Sequence, residues 1–230
     1  RNFEAYYARL NLKRGRGRTA VTILSLVMSI TVFVALQSFT GLLDASSSVQ
    51  DMYFSDYAVT NETVGIPSET VKTLAENDAV ESVSTTRLSV FMPGAGDILP
   101  FETDLSVQSH ETLQLVNVDE AQLQIYAPNL SAQDKQALKD GTGCLVKNPI
   151  AFSYGDTTVQ QTDLTVGDTI QLGDRTLPVL GLIDTAITIN NDGFTNGVQL
   201  IVNDEIYCSL LGNDSYSEVY PTLQDNADTD

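Results

Sequence analysis

Residues 19–43, TAVTILSLVMSITVFVALQSFTGLL, run for 25 positions without one charged side chain. As an α-helix rising ~1.5 Å per residue, such a run reaches about 37 Å, enough to cross a ~30 Å hydrocarbon core with some tilt. Apolar side chains surround that helix, so no polar face remains for water. The run reads as a transmembrane helix, with a short arm before it and a long acidic part after it.

Charge orients the span. Residues 1–18 hold six basic groups (Arg1, Arg9, Lys13, Arg14, Arg16 and Arg18) against one acid, Glu4, a net +5. Residues 44–230 hold the other six basic groups and 29 acids, a net −23. Cations beside a span stay cytoplasmic. The short basic end is therefore expected inside and the acidic part outside, with Arg9, Lys13, Arg14, Arg16 and Arg18 setting topology and meeting the lipid bilayer. Phosphates would be repelled by the acidic part, so nucleic acid is not an expected partner. A cleaved signal peptide is disfavoured: its apolar core spans roughly 7–15 residues, and Asp44-Ala45-Ser46 is a poor cleavage site.

Before the span, Phe3, Tyr6, Tyr7 and Leu10 recur at helical spacing while Arg9, Lys13 and Arg14 lie largely off that stripe. The pattern fits an amphipathic interfacial helix, the alternative being a solvated arm. Gly15 and Gly17 are expected to break the helix into an elbow. Within the span, Thr22, Ser25 and Ser29 share one face. Either they let another membrane helix approach closely, or their hydroxyls bond back to carbonyls one turn earlier.

The acidic part reads as α+β. Residues 52–60 suit a strand, residues 69–76 a helix capped by Ser68, and residues 80–91 a second strand. A strand comes next at 113–118 and a helical turn at 120–126. Ser131 and Asp134 resemble a capping box opening a helix that Gly141 closes. Residues 145–151 are extended. Residues 170–172 and 177–183 form a hairpin in which Pro178 demotes the second strand toward an edge. After a loop at 190–193 come a strand at 198–203 and a helix at 204–211, ended by Gly212. The strand at 52–60 is expected near the strand at 198–203, in a mixed or antiparallel sheet.

Motifs of chemistry are missing. His110 is the single histidine, and no GxSxG or SxxK accompanies a serine. Cys144 and Cys208 lie 64 residues apart, which excludes a CxxC pair. They either form one disulfide outside the cell or stay as small apolar groups. The carboxylates lack the glycine turn and terminal Glu of a calcium loop. There is no P-loop, no GxGxxG and no zinc spacing. No catalytic residue, metal ligand or cofactor site is therefore assigned to this chain.

Asn11-Leu12-Lys13-Arg14, Arg18-Thr19 and the run from Thr22 through Ile23-Leu24-Ser25 to Ile30 resemble the opening of MacB/FtsX-like ABC transporter permeases. Val166-Gly167-Asp168-Thr169-Ile170 with Leu177-Pro178-Val179-Leu180-Gly181 is similar to a hairpin of their ectodomains. Val202-Asn203-Asp204-Glu205-Ile206-Tyr207 with Leu211-Gly212 is similar to their strand–helix unit. The resemblance implies an interfacial helix at 1–18, a transmembrane helix at 19–43 and a MacB-like core domain over 44–230. Within that domain it implies a membrane-proximal lobe of about 44–96 plus 197–230 and a second lobe of about 97–196. It also implies a non-catalytic permease subunit in a bacterial cell membrane, a second permease chain as dimer partner, and ATP bound and hydrolysed by a separate cytoplasmic ABC ATPase subunit. Permeases of this kind carry three further spans, so the chain is expected to continue past Asp230. The alternative is a single-pass surface binding or sensor protein.

Overall fold

In the computed structural model, residues 3–14, 16–50, 55, 57–61, 64–151, 153–154, 157–158, 161–189 and 197–224 are described, with the backbone alone for 10–14, 16, 18–19, 36, 38–50, 153–154 and 157–158. The chain separates into two compact units, Arg1–Met52 and Tyr53–Asp230.

The first unit is helical. α1 spans Phe3–Arg14 and α2 spans Arg16–Gln50. The second helix starts at Arg16, so Gly17 lies in its first turn instead of in the break expected there. In α1, Phe3 and Tyr7 meet at i, i+4 with ring centroids 4.8 Å apart, and both are exposed. Thirty-five residues make α2 about 52 Å long. Every described side chain over residues 20–35 is exposed, including ten large apolar ones from Val21 (67%) to Val34 (54%). Among the described residues no helix is long and apolar enough to cross a membrane. The described side chains of α2 end at Gln37, so the uncharged run 19–43 lies partly outside them.

The second unit is built on one eight-stranded mixed sheet. Its chain order is β1 (Val59–Thr60), α3 (Ser68–Ala75), β2 (Val80–Phe91), a 3-10 turn (Pro93–Ala95), β3 (Thr112–Val118), α4 (Glu120–Tyr126), α5 (Ala132–Lys139) and β4 (Cys144–Lys147). The short hairpin β5 (Ser153–Tyr154) and β6 (Thr157–Thr158) comes next, then β7 (Thr169–Leu172), β8 (Arg175–Leu182), β9 (Gly197–Ile201), α6 (Asp204–Leu211) and β10 (Glu218–Leu223). Across the sheet the order is β1-β10-β2-β3-β9-β4-β8-β7, and β5 and β6 pair apart from it. β3 runs parallel to β9 and β4 parallel to β8; the other neighbours are antiparallel.

Alternation along the central strands splits the core between the two faces, as a period of two requires. Leu113, Leu115, Cys144, Val146, Val198 and Leu200 pack with Ile206 and Tyr207 of α6. Val116, Leu145 and Ile201 pack with Leu123 of α4 and Leu138 of α5. Both faces being covered, β3, β4 and β9 are buried almost throughout. Gln114 and Gln199 stand opposite each other in the β3–β9 register. Gln199 Nε2 donates to Gln114 Oε1 at 2.7 Å and to the Ile187 carbonyl at 2.7 Å, which satisfies the polar atoms this deep in the sheet.

Several expectations are corrected. β1 pairs with β10, Val59 opposite Val219, and lies four positions from β9, because β10 comes after α6 and returns along β2. β10 itself went unread in the sequence. The strand expected at 52–60 is observed over Val59–Thr60, and residues 52–54 and 56 lie outside the described ones. Pro67, not Ser68, occupies the N-cap of α3, with no side-chain cap; the Ser68 hydroxyl instead donates to Asp214 Oδ2 at 2.6 Å. Pro178 does not put β8 at an edge. Pairing with β4 begins at Val179, one residue beyond the missing N–H, and β7 is the edge strand. In the sheet, β3 is seated between β2 and β9. The loop expected at 190–193 lies outside the described residues.

Candidate functional site

Strand register builds the most distinctive cluster of the second unit. Arg87 on β2 pairs with Asn117 on β3, and its Nη1 donates to Asn117 Oδ1 at 3.0 Å. The same nitrogen donates to the carboxylate of Asp204 in the first turn of α6, while Nη2 donates to the Asp214 carbonyl at 2.9 Å. The guanidinium carbon stands 3.7 Å from the centroid of the Tyr216 ring. Arg87 is 3% exposed, and both terminal nitrogens of its guanidinium find acceptors while the buried Nε finds none among the described residues. Asn117 in turn donates to the Val202 carbonyl at 3.1 Å. The Ser68 hydroxyl bonded to Asp214 holds that carboxyl below its ordinary value.

Arg87 lies at a cleft of ≈ 730 Å³ bounded by α4, α5 and the start of α6. Polar side chains fix these walls. Asp119 caps α4 by accepting from Gln122 N at 2.9 Å, and its second oxygen accepts from Thr85 N of β2 at 2.8 Å. Asn203 caps α6 by accepting from Ile206 N at 2.9 Å, and its amide donates to the Lys139 carbonyl at the end of α5 at 3.0 Å. Leu123, Leu138, Ile201 and Val202 supply apolar lining.

The charges on the walls fall into two groups. Asp204 is paired with Arg87, and Glu205 with Arg175 at 2.6 Å. Lys135 and Lys139 on α5 and Glu120 on α4 have no ion-pair partner among the described residues. Three of the six basic residues beyond position 43 thus line this one cleft.

The residues singled out from the sequence lie elsewhere. Arg9 is exposed on α1; Lys13 and Arg14 belong to α1, and Arg16 and Arg18 to α2, their side chains lying outside the described ones. Thr22, Ser25 and Ser29 are exposed on α2, and the Ser29 hydroxyl donates to the Ser25 carbonyl at 2.9 Å, one turn earlier. Arg87 was missed. The signal available was an arginine inside a strand rich in apolar and hydroxyl residues, in a domain with few cations.

His110 stands 3.9 Å from Glu111, whose buried carboxylate accepts from Thr162 N at 2.8 Å and Thr162 Oγ1 at 2.6 Å. Cys144 and Cys208 are free thiols, and burial pushes Cys144 up to about 12. Among the described residues no group of His, Cys, Asp and Glu is placed to hold a metal ion.

No family model matches the chain, and no curated protein matches it. Among solved structures, the extracellular domain of the noncanonic ABC-type transporter YknZ from Gram-positive bacteria is similar, at 11% identity and a TM-score of 0.42, over 70% of this chain and 75% of that one. The periplasmic region of MacB from Actinobacillus actinomycetemcomitans is similar at 12% identity and a TM-score of 0.38, over 74% of this chain and 69% of that one. Both neighbours are extracytoplasmic regions, and at these identities the likeness concerns the fold alone.

Proposed function

We propose that this chain belongs to a permease subunit of an ABC-type exporter or mechanotransmission complex. In this reading α2 crosses the membrane, the basic arm stays in the cytoplasm, and the acidic α+β domain stands outside. ATP is hydrolysed by a separate cytoplasmic subunit, and two permease chains pair. Supporting it are the permease-like motifs at both ends and the order of basic arm, long helix and acidic domain.

One observation carries the reading. Ten large apolar side chains of α2 are exposed on every side of the helix, each by 52–67%. Burying side chains of this kind is worth roughly 1.5–3 kcal/mol apiece, on the order of 15–30 kcal/mol for the ten. A helix like this needs an apolar surround, and a bilayer supplies one without a dedicated partner on each face.

The test is topological. Ile98, 92% exposed, is replaced by cysteine in the full-length protein, with Cys208→Ser to silence the half-buried native thiol. A membrane-impermeant maleimide should label Ile98→Cys on intact cells, and the protein should stay in the membrane after an alkaline wash. Labelling only after the cells are broken would overturn the orientation.

A further inference from the structure

We infer that the cleft beside Arg87 binds a small zwitterion, an amino acid or a short peptide, with its carboxylate at Lys135 and Lys139 and its ammonium at Glu120. The volume of ≈ 730 Å³ lies inside the range of roughly 300–1,000 Å³ typical of small-ligand sites. The walls are preformed, since Asn203 ties α5 to α6 and Asp119 ties α4 to β2. A ligand therefore loses little to reorganisation on binding.

Charge selects the ligand class. The charges already matched, Arg87 with Asp204 and Glu205 with Arg175, offset one another. What remains is divided between two helices that line the cleft. Lys135 and Lys139 sit one turn apart on α5, and Glu120 opens α4 next to Asp119, whose carboxylate oxygens are already taken by the Gln122 and Thr85 backbone amides. An anion alone would meet Glu120, and a cation alone would meet the two lysines. A molecule carrying both charges satisfies both walls, while Leu123 and Leu138 offer its side chain an apolar surface. Residues 44–230 bear a net −23, so a plain anion would also be repelled at long range. The Gln124 side chain lines the same space and offers hydrogen bonds to a peptide unit, as does the Gln136 amide oxygen, its nitrogen already donating to Asp140 Oδ1 at 2.8 Å. This inference stands independently of any ATPase partner.

The test is calorimetric titration of the full-length protein in lipid nanodiscs with the dipeptide alanyl-leucine, its C-terminal amide and its N-acetyl form. The free dipeptide should bind, and each blocked form should bind about tenfold more weakly, the equivalent of roughly 1.4 kcal/mol. Lys135→Gln with Lys139→Gln should abolish the discrimination against the amide and leave that against the acetyl form. Glu120→Gln should do the reverse, and Lys72→Gln, at an exposed position of α3, should change neither. Glutamine suits a helix, and a melting curve for each variant checks that it folds. No binding up to about 10 mM overturns the proposal, as does equal affinity for all three peptides or a loss of discrimination that ignores which wall was changed.

Discussion

Arg87 brings a full charge into the middle of a sheet, and its neighbours decide whether that charge is tolerated. The Asn117 amide oxygen, the Asp214 carbonyl and the Tyr216 ring are fixed in place, whereas the Asp204 side chain is 67% exposed. Removing the arginine strands its partners and opens a void, so Arg87→Met should cost about 3 kcal/mol and lower Tm by roughly 6–12 °C. Asp204→Asn should cost under about 1 kcal/mol, because an exposed carboxylate is screened by water. Equal losses in thermal melts would contradict this ranking.

Cys144 offers a second test at the same scale. Its thiol, ordinarily 9.0, is pushed up to about 12 by burial. With the folded value above the unfolded one, that contribution to stability is fully present below pH 9 and is lost as pH rises toward 12, by roughly 1.4 kcal/mol per pH unit. Cys144→Val should make the alkaline fall in denaturant midpoint shallower than in the parent protein. An unchanged slope would show that Cys144 is not the group responsible.

At the scale of elements, the local punctuation was legible for α5 and α6 but not for α3, where Pro67 rather than Ser68 holds the N-cap. The long-range pairing was not legible at all. Ser131 caps α5 by accepting from Asp134 N at 3.1 Å, and Gly212 ends α6 at φ 63, both as their sequence signals require. A cap depends on three or four neighbouring residues, so sequence spacing reveals it. The pairing of Val219 with Thr85 joins segments more than a hundred residues apart, and no periodicity records it. The partners of Arg87 escaped for the same reason: Asn117, Asp204 and Tyr216 arrive from three separate segments of the chain. The distinction is measurable. Ser131→Ala should cost about 1 kcal/mol, and Asn203→Ala about 2 kcal/mol, since Asn203 also binds the Lys139 carbonyl. Gly197 is constrained by space: a Cβ there would meet the Thr112 carbonyl oxygen at 2.1 Å. Gly197→Ala should therefore disturb the parallel β3–β9 pair, read as faster amide exchange in both strands.

For the whole molecule, α2 is one helix from Arg16 to Gln50, seven residues beyond the uncharged run 19–43. For the proposed permease we infer a lever, in which this unbroken helix would carry motion from the membrane to the outer domain. A Gly-Ser-Gly-Ser insertion after Ala45 would replace stiff helix with flexible coil. The complex should still assemble and hydrolyse ATP while the outer domains lose their response. The most direct measurement is pulsed electron spin resonance between the two copies of Ile98→Cys, spin-labelled on a Cys208→Ser background, in the assembled complex. The account predicts that the distance distribution shifts between the ADP-bound and ATP-bound complexes and that the insertion abolishes the shift. Identical distributions in the two nucleotide states of the uninterrupted protein would contradict it.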